Sequence, residues 1–275
     1  MWIWDSRTHQ FITQKALQHS KLSFQKIIEI HPEYFIFGIE SPDRIFKDTT
    51  NHYYNCTPNK FGYNSGSVVS RINYLVNLCD EMLSNPNKII LIKNLQPYII
   101  LMLDTPLKSF IYTLGTLTHY ISDLHQPFHT DGKYTGLDEI TVHKIFEADT
   151  RKHLQDLTIS LKRRKRIKNI NDEFYSRIYE INKFYRPLFN NYYLSPGKVR
   201  KDRWEKSISI VNICISKAIQ MNSNIFLRFE NSLKVFKPQI NKIKLENKLS
   251  QKLKIYNSYQ LRCYHSGSIL IKKKK

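Results

Sequence analysis

The sequence predicts an all-α protein, one multi-helix domain with a basic tail. Three observations support this: apolar content is ordinary at 41%, glycine is scarce at 8 in 275 residues, and apolar residues recur at helical rather than alternating spacing. A chain of this length carries one substantial core or at most two domains. The expected division is a helical domain over residues 1–233 and a tail over 234–275.

The first helix runs from about Thr8 to His19, with Phe11, Ile12 and Leu17 as its apolar stripe and His9 in its first turn. The segment HPEYFIFGIESPDRIFKDTTNHYYNC reads as irregular. Pro42 holds Ser41 away from the helical region, which puts Asp43 on a turn, and His52 falls in a loop among Asn51, Tyr53 and Tyr54. Ser67 to Leu83 reads as an amphipathic helix with Val68, Ile72, Leu75, Leu78 and Met82 inward. A long apolar helix follows from Lys108 to about His125, ended by Pro127, and it carries the polar pair His119 and Asp123 among Phe110, Leu114, Leu117, Ile121 and Leu124. His129 sits on the turn just after that proline. Leu137 to Leu161 forms the next helix, carrying His143 and Glu147 and ending in the basic run Lys162 to Lys168. Two more helices are expected, Asp172 to Tyr185 and Pro196 to Leu233, and beyond Pro238 a marginal helix or a disordered tail.

The net charge is +20, and from Lys234 onward twelve Lys or Arg face a single acid, Glu246. Such a surface suits phospholipid membranes, nucleic acid or a phosphate substrate, or is simply a solvated Lys-rich face. Cys56, Cys79, Cys214 and Cys263 are too scattered for a zinc knuckle or a CxxC pair, leaving free thiols or two disulfides. MWIWDSRTH has no secretory pattern, and KIILI and YIILML are too short to span a bilayer. The expectation is therefore a soluble or peripheral protein, cytoplasmic or at a membrane surface. There is no glycine-rich phosphate loop and no GxSxG elbow.

Chemistry concentrates in eight side chains: His9, Asp43, His52, His119, Asp123, His129, His143 and Glu147. The pairs His119/Asp123 and His143/Glu147 are spaced i,i+4, so each projects from one helix face. Imidazole and carboxylate without thiolate is a normal ligand set for hydrolytic zinc, and the set exceeds what one ion needs. A lone histidine in an apolar helix is most often a satisfied core residue. Independent core histidines, however, have no reason to fall into H-x3-D-x5-H followed by H-x3-E. His125 sits inside this stretch at a spacing that fits no ligand role, and is read as exposed or as lying behind the ligands. Tyr53, Tyr54 and Tyr120 are cleft-lining or packing residues, and Trp204 anchors the later helix.

HYISDLHQPFH and HKIFE resemble the zinc-dependent phospholipase C family, whose bacterial members include the clostridial alpha-toxins. The resemblance covers about residues 2–150 and implies an all-helical domain around three clustered zinc ions. It implies one zinc on Asp43, His52, His119 and Asp123, a second on His129, His143 and Glu147, and a third on His9, Asp123 and the amino-terminal region at Trp4. In the family a leading Trp ligates through its own amino group. Here Met1, Trp2 and Ile3 precede Trp4, so unless processing exposes Trp4 the third zinc is expected to be weaker or absent. Asp43 is the implied general base, and a phospholipid or other phosphodiester the implied substrate. The short gap between Asp43 and His52 predicts a different substrate loop, and the choline-pocket residues of the phosphatidylcholine enzymes find no counterpart. DLHQPFH and Trp4-x4-His9 also resemble zinc-dependent single-strand nucleases, although those end their ligand set in Asp where this chain has Glu147. A third alternative is a metal-stabilised protein that binds membrane or nucleic acid without turnover.

Overall fold

The computed structural model describes residues 6–58, 60–131 and 137–243. The chain divides into two compact units, Met1–Leu233 and Lys234–Lys275. In the first, α1 (Ser6–Gln18), α2 (Leu22–Ile28) and α3 (Pro32–Ser41) are followed by α4 (Val68–Ser84), α5 (Pro97–Met102), α6 (Pro106–Asp123) and α7 (Leu137–Lys152). Then come α8 (Ile170–Asn182), α9 (Tyr185–Tyr192), a two-stranded antiparallel hairpin, β1 (Tyr193–Ser195) and β2 (Lys198–Val199), and α10 (Arg203–Phe229). In the second unit residues 234–236 belong to a 3-10 turn and residues 237–243 are helical, and residues 244–275 of the expected tail lie outside the described residues.

The core is built around α6. Pro106 at its first turn needs no amide partner, and the Thr105 hydroxyl caps it by accepting from Lys108 N. Every side chain from Ser109 to Asp123 is buried, as expected of a helix surrounded by α1, α3, α4 and α10 rather than lying on a surface. The closest neighbour is α3. An added Cβ on Gly38 would lie 2.1 Å from Tyr112 O, and one on Gly115 would lie 2.3 Å from Phe35 O. The two backbones therefore meet through paired glycines, a distance no side chain permits.

Three expectations need correction. The stretch from Pro32 to Phe46 is helical rather than irregular: Ser41 stays in the right-handed helical region (φ −61, ψ −39), and Pro42–Phe46 continues α3 as one π-turn. Pro42 has no amide to offer Gly38 O, and the Thr116 hydroxyl of α6 supplies the missing donor at 3.2 Å. The helix carrying His143 ends at Lys152, not Leu161. Residues 157–169 run extended along α10, where Asn212, Ser216, Gln220 and Asn224, spaced four apart, accept the amides of Thr158, Ser160, Lys162 and Lys165 at 2.7–3.0 Å. These bonds replace the intrahelical ones. The last long helix begins at Arg203 rather than Pro196, because Pro196 and Gly197 (φ +69) form the hairpin turn.

Cys56, Cys79 and Cys214 are free thiols, so the two-disulfide alternative is excluded. Trp204 stacks on His153 at 4.7 Å, tying α10 to the end of α7. Among the described residues no helix is long and apolar enough to cross a membrane.

Candidate metal centre

α6 brings His119 and Asp123 to one face, one turn apart, in the interior of the domain. His119 Nδ1 donates to Ile39 O at 2.7 Å, a bond made possible by the glycine crossing of α3 on α6. That bond fixes the tautomer and turns the Nε2 lone pair toward two carboxylates, Asp43 Oδ1 at 3.1 Å and Asp123 Oδ2 at 3.0 Å. Three acceptor atoms converging in this way repel one another unless a proton or a cation lies among them. Asp43 comes from the π-turn, a helix irregularity typical of functional sites. His52, from the following loop, sets Nδ1 2.6 Å from Asp123 Oδ2. His9, in the first turn of α1, stacks on the His119 ring at 4.0 Å and reaches within 3.4 Å of Asp123 Oδ1. His129 Nδ1, from the short 3-10 turn Pro127–His129, lies at the same 3.4 Å from that oxygen. On α7, His143 Nε2 stands 3.0 Å from Glu147 Oε1.

All eight side chains predicted from sequence thus converge, and Asp123 lies in contact with four of the imidazoles. Among the described residues, three groups hold donor atoms close enough to share an ion: His9, Asp43 and His119; His52, His119 and Asp123; His129, His143 and Glu147. The predicted Trp4 lies outside the described residues. His125 is not exposed but wholly buried. It lies in the turn after α6, with Nδ1 donating to Ile121 O in the last turn of that helix at 2.7 Å.

The residues fit zinc on the structure's own terms. Asp43 Oδ1, His52 Nε2 and Asp123 Oδ1 are buried without a well-formed hydrogen bond, a costly arrangement unless these atoms ligate a cation. Burial lowers the pKa of His129 to about 4 and of His143 to about 3, leaving neutral imidazoles with lone pairs available. Burial also pushes the Glu147 carboxyl up to about 8. At His119 burial acts downward, but Asp43 and Asp123 outweigh it and hold the imidazole up to about 10. Asp123 sits well below the usual carboxylate range despite its burial, because His119, His9 and His129 surround it. Neutral imidazoles beside buried carboxylates are the donor set that a zinc ion takes.

Sequence reading missed Gln126. Its side-chain oxygen accepts Phe128 N at 2.7 Å, while its amide donates to Glu147 Oε1 at 3.1 Å and to His143 Nε2. The available signal was its place just before Pro127, inside the ligand motif. Phe128 also stacks on the His143 ring at 5.0 Å, and the Tyr120 hydroxyl donates to Asp48 at 2.8 Å beside His52.

Comparison with known proteins bears on the fold and the family. The crystal structure of Clostridium perfringens alpha-toxin from an avian strain aligns with a TM-score of 0.55 at 14% identity, covering 85% of this chain and 66% of the toxin. Alpha-toxin from Clostridium absonum aligns with a TM-score of 0.50 at 13% identity, covering 85% of this chain and 67% of that one. These likenesses establish the shared fold, and this chain spans about two thirds of the toxins' length. A search of curated proteins gives no match. The model of the family described as zinc dependent phospholipase C matches residues 8–190, which include all eight ligand candidates, and the chain belongs to that family.

Proposed function

We propose that this protein hydrolyses the phosphodiester bond of a phospholipid, as a phospholipase C, with zinc held by His9, Asp43, His52, His119, Asp123, His129, His143 and Glu147. The observation that carries the reading is the buried convergence of five imidazoles and three carboxylates, with donor atoms left unsatisfied. Zinc supplies positive charge for the phosphoryl and leaving-group oxygens and acidifies bound water toward a pKa of about 7.

The protein's own residues divide the remaining work. Asp123 is fully buried and faces His9, His52, His119 and His129, so it would help hold zinc rather than carry a proton. Asp43 keeps 20% of its side chain exposed against none for Asp123, so water and substrate reach it first. It accepts the proton of the attacking water and orients that water toward phosphorus. His119, locked by Ile39 O, presents Nε2 beside the Asp43 carboxylate, so that both would hold the same ion. Gln126 donates to Glu147 Oε1 and holds that carboxylate in place.

Zinc per chain in the intact protein, in His119→Ala and in Glu147→Ala, measured with hydrolysis of a soluble phosphodiester and of phospholipid, tests the proposal. Bound zinc that falls in both variants, together with diester cleavage, supports it. A protein that takes up no zinc and cleaves neither substrate refutes it.

A further inference from the structure

α5 exposes almost everything it has. Five of its six residues, Pro97, Tyr98, Ile100, Leu101 and Met102, face solvent, and Leu101 is 79% exposed. Single exposed apolar residues are ordinary, but an entirely apolar helix with one inward residue, Ile99, is not. The segment is not loose. Ile92, Leu95, Ile99 and Leu103 are buried, Lys93 N donates to the Tyr74 hydroxyl at 3.0 Å, and the Ser109 hydroxyl of α6 holds Ile90 O. The fold thus fixes α5 and presents it outward.

At its amino-terminal end lies a polar cavity of about 380 Å³. Its lining includes Gln96, at the position preceding α5, the cations Lys47, Arg71 and Lys93, and Asn51, the neighbour of His52. Its one acid, Asp48, is already engaged by the Tyr120 hydroxyl at 2.8 Å and the Asn51 amide at 2.6 Å. An apolar helix beside a cationic, headgroup-sized cavity next to the metal centre matches one partner, a bilayer carrying anionic phospholipid. Acyl chains meet Tyr98, Ile100, Leu101 and Met102, and phosphate meets Lys47 and Lys93.

We propose that α5 and the Lys47/Lys93 cavity dock this protein on anionic phospholipid bilayers. The inference rests on the phospholipid reading above, and the two fail separately.

Flotation with vesicles of equimolar phosphatidylglycerol and phosphatidylcholine, and with phosphatidylcholine alone, tests it. Wild-type protein is expected to float with the anionic vesicles and far less with neutral ones. Lys47→Glu and Lys93→Glu should each weaken binding about fivefold or more. The double variant Ile100→Asp/Leu101→Asp should weaken it more, while zinc content and hydrolysis of a soluble phosphodiester stay unchanged. Wild-type binding that ignores all these changes overturns the proposal. So does a loss confined to Lys165→Glu/Arg166→Glu, on the extended basic segment along α10. If no soluble diester is cleaved but vesicle binding still depends on α5, the hydrolase reading falls and the docking surface stands.

Discussion

Replacing Gly115 with alanine should destabilise this protein, although alanine is the better helix former by about 1 kcal/mol. The added methyl carbon would lie 2.3 Å from Phe35 O, 3.1 Å from Ile39 N and 3.2 Å from Gly38 Cα. The first contact is roughly 1 Å inside even a close carbon–oxygen approach. All three atoms are backbone, so no rotamer relieves them and α3 must move as a unit. Overpacking of this kind costs about 1–3 kcal/mol. With backbone on both sides the upper end applies, leaving a net loss of about 1–2 kcal/mol once propensity is subtracted. The displacement has a second consequence. Ile39 O sits 2.7 Å from His119 Nδ1, and Asp43 follows on the same helix, so moving α3 loosens both supports of the His119 ring. Losing the bond that orients a ligating histidine typically weakens metal binding about 10–100-fold. Urea unfolding of the metal-free variant measures the first effect and chelator competition for zinc the second. A Gly115→Ala protein that is more stable than wild type, with unchanged zinc affinity, would show that propensity wins and that the glycine crossing does not position the site.

Metal-free protein should lose stability as pH rises from about 7 to 8. Glu147 and His119 both have raised folded values, about 8 and about 10, so the folded chain keeps protons that the unfolded chain releases. His129 and His143, lowered to about 4 and about 3, are neutral in both states over that range and do not contribute. With saturating zinc the slope should reverse, since ligands bind metal deprotonated, and parallel melting curves in the two forms would refute this account. Cys79 and Cys214 are buried thiols whose pKa values burial raises, so a thiol reagent at pH 8 should label them only after unfolding. Labelling of either in native protein contradicts the packing. Asn224→Leu removes the acceptor for Lys165 N and should cost about 1 kcal/mol while speeding tryptic cleavage between Lys162 and Lys168. Unchanged cleavage would mean the α10 side chains do not hold that segment.

What the sequence determined by itself was local. The i,i+4 spacing of His119 with Asp123, and of His143 with Glu147, places each pair on one face of any helix that forms. The apolar periodicity ensured that α4, α6 and α7 would be helices, so both pairs could be read without coordinates. Tertiary structure decided the rest. Asp43 reaches His119 only because Gly38 and Gly115 let two backbones touch and because a π-turn carries α3 past Pro42. Gln126 became part of the site through side chains brought together from α7. Leu157–Leu161 reads as the end of a helix, yet these residues and those up to Asn169 lie extended because α10 offers a ladder of acceptors. PYIILM has the composition of a core segment and is exposed. Periodicity reports which side chains share a face. Which surface covers that face, and what an unsatisfied backbone group bonds to, are set by distant residues whose arrangement no local pattern encodes.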